Sequence, residues 1–349
     1  MTVNTLKLMN MKRLIFLTAF MATLFSICSC KNSGKALLPN VSGKAGEIIV
    51  VINKGDWEGA VGNELRDLLA SDCPFLPQKE PLYNLANVSP AGFNNMFQLH
   101  RNIIFCNIDT KVTEPKVVYK VDQWAKPQTL VIINAPDSDT AVNLIKENGA
   151  MILSTFEQAE RDRVIMNCIQ YEESSLRATV NKAFGGSPYF PSGYSLKKQT
   201  EDFIWIGYDT QYTIQGIFIY RYPATGKDDM TLDSIIGHRN ETLKANVPGM
   251  FENTYMTTAE AVAPNLEYLK YRGREFAQVR GFWEVHNDFM GGPFISHSFY
   301  SPDGKDIIVL EAFVYAPKYD KRNYLRQVES IIYSFEWADR QGMQEKEEK

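Results

Sequence analysis

Apolar and polar positions change period several times along the chain, and each change marks an element. EIIVVIN (47–53) is an unbroken β-rich run, the pattern of a buried strand. In WEGAVGNELRDLLA (57–70), Val61, Leu65, Leu68 and Leu69 recur at helical spacing, with Asp56 placed as N-cap. RNIIFCNI (101–108), KVVYKV (116–121) and TLVIINAP (129–136) read as three more strands. A helix is then expected, capped by Ser138 or Asp139 and stopped at Gly149. A longer helical pattern follows from about Met151 to Phe184. Its Val164, Cys168, Tyr171, Ser175, Thr179 and Ala183 share one face, and Gly185-Gly186 ends it.

The texture changes at GGSPYFPSGYS (185–195), a Gly-, Pro- and aromatic-rich connector. Beyond it, DFIWIGYDTQ (202–211) and TIQGIFIYRYP (213–223) read as a hairpin, followed by a helix at 232–247. EFAQVRGFWEV (275–285), PFISHSFYS (293–301) and DIIVLEAFVYAP (306–317) are strands, with Asp303-Gly304 turning between the last two. A closing helix runs from Lys321 to about Phe335, capped by Asp320, with Leu325, Val328, Ile331, Ile332 and Phe335 on one face. Strands followed by a helix therefore occur twice. The repeat is either a weak internal duplication or a single sheet carrying two helices on one face. The expected fold class is α+β. An N-terminal α/β-type sheet domain (46–186) precedes a C-terminal antiparallel-sheet domain with helices packed on it (187–337), and a polar tail (338–349) follows.

The first 45 residues follow neither pattern. Lys12 and Arg13 precede an apolar run at 14–27, too short for a comfortable membrane span and laid out as a secretory signal, with Met1 or Met11 as its start. Ile27-Cys28-Ser29-Cys30 resembles a bacterial lipobox in which Cys30 is the lipidated residue; Cys28 fits worse, since Ile27 would then occupy the small-residue position. The expectation is a signal peptide at 1–29, lipid attachment at Cys30 and a flexible tether at 30–45. Acylated Cys30 would hold the chain to a lipid bilayer rather than thread it through.

Composition then narrows the partners. The chain is 44% hydrophobic and 22% charged, as globular proteins are. Processing before Cys30 removes Lys7, Lys12 and Arg13 and no acid, moving the formal net charge from −4 to −7. No basic block remains, so nucleic acid is not an expected partner. Cys73, Cys106 and Cys168 are left, an odd number that argues against a disulfide scaffold while leaving one bridge open. Cys106 and Cys168 stand among apolar residues as core fillers.

Catalytic signatures are sparse: no G-x-S-x-G elbow, phosphate-binding Walker loop, H-E-x-x-H or EF-hand loop occurs, and no cofactor is implied. The segment with the most chemistry is RGFWEVHNDFMGGPF (280–294). Trp283, Phe289 and Phe294 supply apolar faces. Arg280, Glu284, His286 and Asp288 supply polar groups, and Gly291-Gly292 allows close backbone approach to a ligand. Strand alternation offers a structural reading of the same residues, with Trp283 and Val285 facing a core and Phe282 and Glu284 the other side. His286, Asp288 and His297 form an alternative set for a metal-dependent enzyme or hydrolase if adjacent strands bring them together. Lys321, Arg322 and Arg326 put positive charge at the start of the last helix, against its dipole, and call for nearby acids or an anionic partner.

FIWIGYDT, IYRYP, RGFWEV, FMGGPF and FVYAPKYDKRNYLRQVESIIYSF, taken with the lipobox, resemble an uncharacterised lipoprotein family of Bacteroidota known only as a domain of unknown function. The resemblance implies an envelope location and no particular reaction. The closing strand–helix unit is also similar, at the level of fold, to PsbP/Mog1-like α+β domains. Surface lipoproteins of such bacteria often carry acids soon after the lipidated cysteine. Lys31-Asn32-Ser33-Gly34 has none, which by that resemblance implies the periplasmic side. The functional expectation is a lipid-anchored, periplasm-facing protein that binds an envelope protein or glycan without catalysis.

Overall fold

The computed structural model describes residues 37–338. The expected signal peptide, Cys30 and nearly all of the polar tail lie outside the described residues. Part of the expected tether does not. Asn40 bridges Lys126 and Ser42 bridges His100, so residues 40–42 run along the folded body instead of hanging from it.

The first sheet holds β1 (Glu47–Val51), β2 (Asn84–Val88), β3 (Asn102–Ile108), β4 (Lys116–Val121) and β5 (Thr129–Ala135) in the order β2-β1-β3-β5-β4. All neighbours are parallel except β4, which joins β5 antiparallel at the edge. Ile48, Val50, Ile104, Val131 and Ile133 face two helices, α1 (Ala60–Leu69) and α2 (Ser138–Gln170). Ile49, Val51, Ile103 and Leu130 face loop aromatics, Phe93, Phe97 and Trp124 among them. With both faces covered, β1 is apolar and buried from Ile48 to Val51, as parallel strands are.

Helix boundaries depart from the sequence reading in several places. Gly59, not Asp56, precedes α1, and Asp56 lies in a separate helical turn where its Oδ1 accepts from the Ser138 hydroxyl at 2.7 Å. Asp137 caps α2 by accepting from the Thr140 N–H. Gly149 does not end that helix, which continues for 33 residues to Gln170. A Cβ at Gly149 would stand 3.2 Å from Leu68 Cδ1, so the glycine lets α1 and α2 approach. The long pattern instead breaks at Tyr171, and α3 (Ser174–Phe184) follows, closed by Gly185 in the left-handed conformation.

The second sheet contains β7 (Ser195–Gln199), β8 (Phe203–Asp209), β9 (Ile214–Pro223), β10 (Tyr255–Thr258), β11 (Asn265–Tyr271), β12 (Arg274–His286), β13 (Gly291–Tyr300) and β14 (Asp306–Tyr315). The order is β10-β12-β13-β14-β9-β8-β7, all antiparallel, with β11 also on β12. A two-residue strand β6 (Gly186–Ser187) pairs with β15 (Glu336–Trp337). Because β14 pairs with β9, the two strand groups form one sheet. Its helices lie on opposite faces, not on one. Helix α4 (Leu232–Asn246) covers Phe218, Tyr220, Val279, Val309 and Phe313; we call this the outer face. Helix α5 (Arg322–Tyr333), with α3, covers Ile217, Ile219, Ile295, Leu310 and Val314 on the inner face. Helix α5 also packs on α2, so the long helix lies between the first sheet and α5. The chain is thus an α+β protein with a mostly parallel sheet followed by an antiparallel one.

Candidate functional site

Strand alternation along β12 decides where the expected site residues go. Odd positions face outward and even positions inward. Trp283 is buried on the outer face against Phe313 and Tyr315, and its Nε1 donates to the Val314 carbonyl at 3.3 Å. Gly292 permits this: a Cβ there would sit 2.1 Å from the Val314 oxygen and 3.1 Å from Trp283 Nε1. A Cβ on Gly291 would meet the Trp283 carbonyl at 2.9 Å. The close approach that these glycines allow is therefore taken by the protein's own backbone and indole. Glu284 and His286 are exposed at the end of β12, where His286 stacks on Tyr255 at 4.8 Å, and Asp288 lies in the following turn. Arg280 points to the inner face. The seven residues do not form one site, because strand period two sends Arg280 and Trp283 to opposite sides of the sheet.

The alternative metal set does not assemble either. His297 pairs in register with Gln278, and His286 lies eight positions further along β12, about 27 Å away at strand rise. Asp288 stays at the His286 end. His297 is wholly buried between Phe276 and Tyr333. Burial, with Arg274, Arg280 and Arg161 nearby, holds its imidazole well below its ordinary value and so uncharged. Among the described residues no group of three or more His, Cys, Asp or Glu side chains could hold a metal ion.

What the fold does assemble around Arg280 is a small cleft of about 190 Å³ between α2, α5, β12 and the loop after α1. Its chemistry comes from Cys73, Glu157, Arg280, Arg322, Arg326 and Glu329. Arg280 Nη2 donates to Glu329 Oε1 at 2.6 Å. Arg326 Nη2 donates to Glu157 Oε1 at 2.6 Å, while its guanidinium lies over the Tyr83 ring, 4.3 Å from the centroid. Tyr83 also donates its hydroxyl proton to Glu157. Arg322 donates to the Pro81 carbonyl.

The start of α5 explains how so many cations are tolerated there. The Glu80 carboxylate accepts from the Lys321 and Arg322 backbone N–H groups, at 2.7 and 2.9 Å. It thus caps the helix and offsets its first-turn charge, the part expected of Asp320, which is instead exposed. The acid comes from a residue about 240 positions away, beyond the reach of a local sequence pattern.

Three guanidinium groups face two carboxylates in the cleft, and Glu80, outside its lining, offsets part of the Arg322 charge. Arg326 Nη1 is buried with no hydrogen-bond partner among the described residues. Such a cleft can take a planar or tetrahedral anionic group, a carboxylate or phosphate, by paired N–H donation. Cys73 is not a nucleophile in this setting. Burial pushes its thiol up to about 11, against the three arginines, so it is protonated at neutral pH. Cys106 and Cys168 are buried in the cores, and all three cysteines are free.

The model of one domain of unknown function (DUF8532) matches residues 41–168, the first sheet with α1 and α2. The model of another (DUF4837) matches residues 173–334, from α3 through α5. No curated protein matches the chain. Among solved structures it is similar to the human StarD13 (DLC2) lipid transfer and protein localization domain, at 11% identity, with 45% of this chain and 95% of that one covered. The TM-score is 0.18, too low to carry a shared fold or function.

Proposed function

We propose that this chain is a lipid-anchored envelope protein of a bacterium of the Bacteroidota type. It faces the periplasm, most naturally from the inner leaflet of the outer membrane, and binds a protein or glycan partner without catalysis. The observation that carries the reading is the run from Lys12 to Cys30: two cations, an apolar stretch of signal-peptide length and a lipobox cysteine. Matches to two domains of unknown function are compatible with it. Among the described residues no helix is long and apolar enough to cross a membrane, so a lipid at Cys30 would be the anchor.

The binding part of the reading is supported by the cleft at Arg280. Arg280 and Arg326 are preorganised by Glu329 and Glu157, and the cleft's volume suits one anionic group of a larger partner, such as a side-chain carboxylate or a phosphate- or acid-bearing sugar. Crosslinking in intact cells, followed by mass spectrometry of what co-purifies, tests this directly. A specific envelope partner is expected with the wild-type chain, and its yield should fall with Arg326→Met. Recovery of no specific partner contradicts the binding reading.

A further inference from the structure

Helix α2 carries apolar residues on its outward side as well as its buried one. Met151 is 59% exposed, and Met166 and Ile169 are each 47% exposed. They line a broad groove of about 840 Å³ whose far wall is Val121, itself 74% exposed, with Lys126 and Pro127. The groove is open and mostly apolar. Its charges largely cancel in place: Lys126 lies 3.9 Å from Asp122, and Arg272 lies 3.6 Å from Asp162. An apolar surface of this kind on a water-facing helix is what an interaction face looks like.

The course of the chain identifies what covers it. Lys126 N donates to the Pro39 carbonyl at 2.9 Å, and Val41 N donates to the Lys126 carbonyl at 3.2 Å. The N-terminal segment therefore joins the body at the wall of this groove. Cys30 precedes Pro39 by nine residues, which span about 30 Å at most when fully extended. A compact body of about 300 residues is about 50 Å across. A lipid at Cys30 therefore holds the Lys126 side of the body near the bilayer and keeps the opposite side away from it.

We propose that the groove formed by Val121, Met151, Met166 and Ile169 is the face that the folded body lays on the bilayer holding Cys30. The inference rests on the reading that Cys30 is lipidated. Its balanced charges suit lipid interface rather than an anionic surface alone, and the outward apolar stripe of α2 would sit among the upper acyl carbons as interfacial helices do. The contact fixes how the body stands on the membrane. A partner would then have to approach from the remaining surface.

The test uses the full chain, purified from membranes and reconstituted into phosphatidylethanolamine–phosphatidylglycerol vesicles that contain a diazirine phospholipid. Intact mass first reports whether the chain is acylated, and light then crosslinks lipid to whatever touches it. Lipid adducts concentrated on the peptides bearing Val121, Met151, Met166 and Ile169 are the expected result. Met166→Glu with Ile169→Glu should lower those adducts about tenfold, the factor that ~1.4 kcal/mol of lost apolar contact gives. Val121→Glu, on a different element, should lower them independently. An acylated chain whose adducts fall elsewhere, or spread evenly, overturns the docking face and leaves the anchor intact. An acylated chain that gives no lipid adducts at the groove, but that an added bifunctional amine- and carboxyl-reactive crosslinker joins copy to copy there, also overturns it, in favour of a second copy as occupant. A chain without acyl groups overturns both the anchor and the face.

Discussion

Arg280 on β12 and Glu329 on α5 meet at 2.6 Å, tying the inner face of the antiparallel sheet to the helix between that sheet and α2. Glu329 is nearly buried and has Arg161 at 3.9 Å as a more distant cation. Arg280→Met therefore leaves a carboxylate short of its best partner. A loss of about 2 kcal/mol in urea unfolding is expected, since removing one member of a mostly buried charged pair exposes the other to its desolvation cost. Glu329→Gln keeps an acceptor for Arg280 and should cost less. Equal losses for the two variants would contradict this pairing.

A second ion pair lies under α4. Arg239 donates through Nε and Nη2 to the two carboxylate oxygens of Glu311, at 2.9 and 2.8 Å, and both side chains are fully buried. Burial raises the Glu311 carboxyl above its ordinary value despite Arg239. Arg239→Met alone should cost ~3–5 kcal/mol by leaving a buried carboxylate unpaired. Adding Glu311→Leu should restore much of that loss. Unfolding free energies for the two single variants and the double variant give the coupling, and simple additivity would argue against the pair.

His297 makes stability depend on pH. Its folded-state value lies well below the ordinary 6.5, so below that pH the unfolded chain takes a proton that the folded chain refuses. Its contribution is present above about 6.5 and is lost as pH falls, by at most ~1.4 kcal/mol per pH unit. The groups around it, Arg161, Arg274 and Arg280 with Gln278 and Tyr333, offer no carboxylate in contact to reverse the sign. Thermal melts from pH 7.5 to 5.5 should show a steeper decline for the wild type than for His297→Phe. Parallel declines would contradict this role.

Gly292→Ala should cost about 3 kcal/mol, because the new methyl must displace either the Val314 carbonyl or the Trp283 indole. Near-ultraviolet circular dichroism, reporting on Trp283, should change with it. Gly149→Ala meets only the end of the flexible Leu68 side chain and should be far milder.

Elements with a continuous apolar run or a clear period were legible in the sequence. The strands β1, β3, β5, β8, β9 and β12 to β14 stand where the patterns placed them. So does β4, although it lies at a sheet edge. The edge strand β2 leaves no such pattern: it reads NLANV, and its Asn87 side chain donates to the Val50 and Ile52 carbonyls, a long-range use of a residue that locally suggests a turn. Gly149 reads locally as a stop, because helix–helix closeness leaves no local mark. Within the candidate site, Arg280 and the cationic start of α5 were visible, and so was the need for a compensating acid. Nothing local marks Glu80, Glu157 or Glu329 as that acid. Two of them come from distant segments, and period alone does not show which strand faces which helix. His286 and His297 illustrate the converse: eleven residues apart in sequence, they are separated by most of a strand once the register is fixed.

Lipid attachment at Cys30 is tested most directly by labelled fatty-acid incorporation in cells producing the wild-type chain or Cys30→Ala. Label on the wild type and its loss in Cys30→Ala is the predicted result. Equal labelling of the two would contradict it.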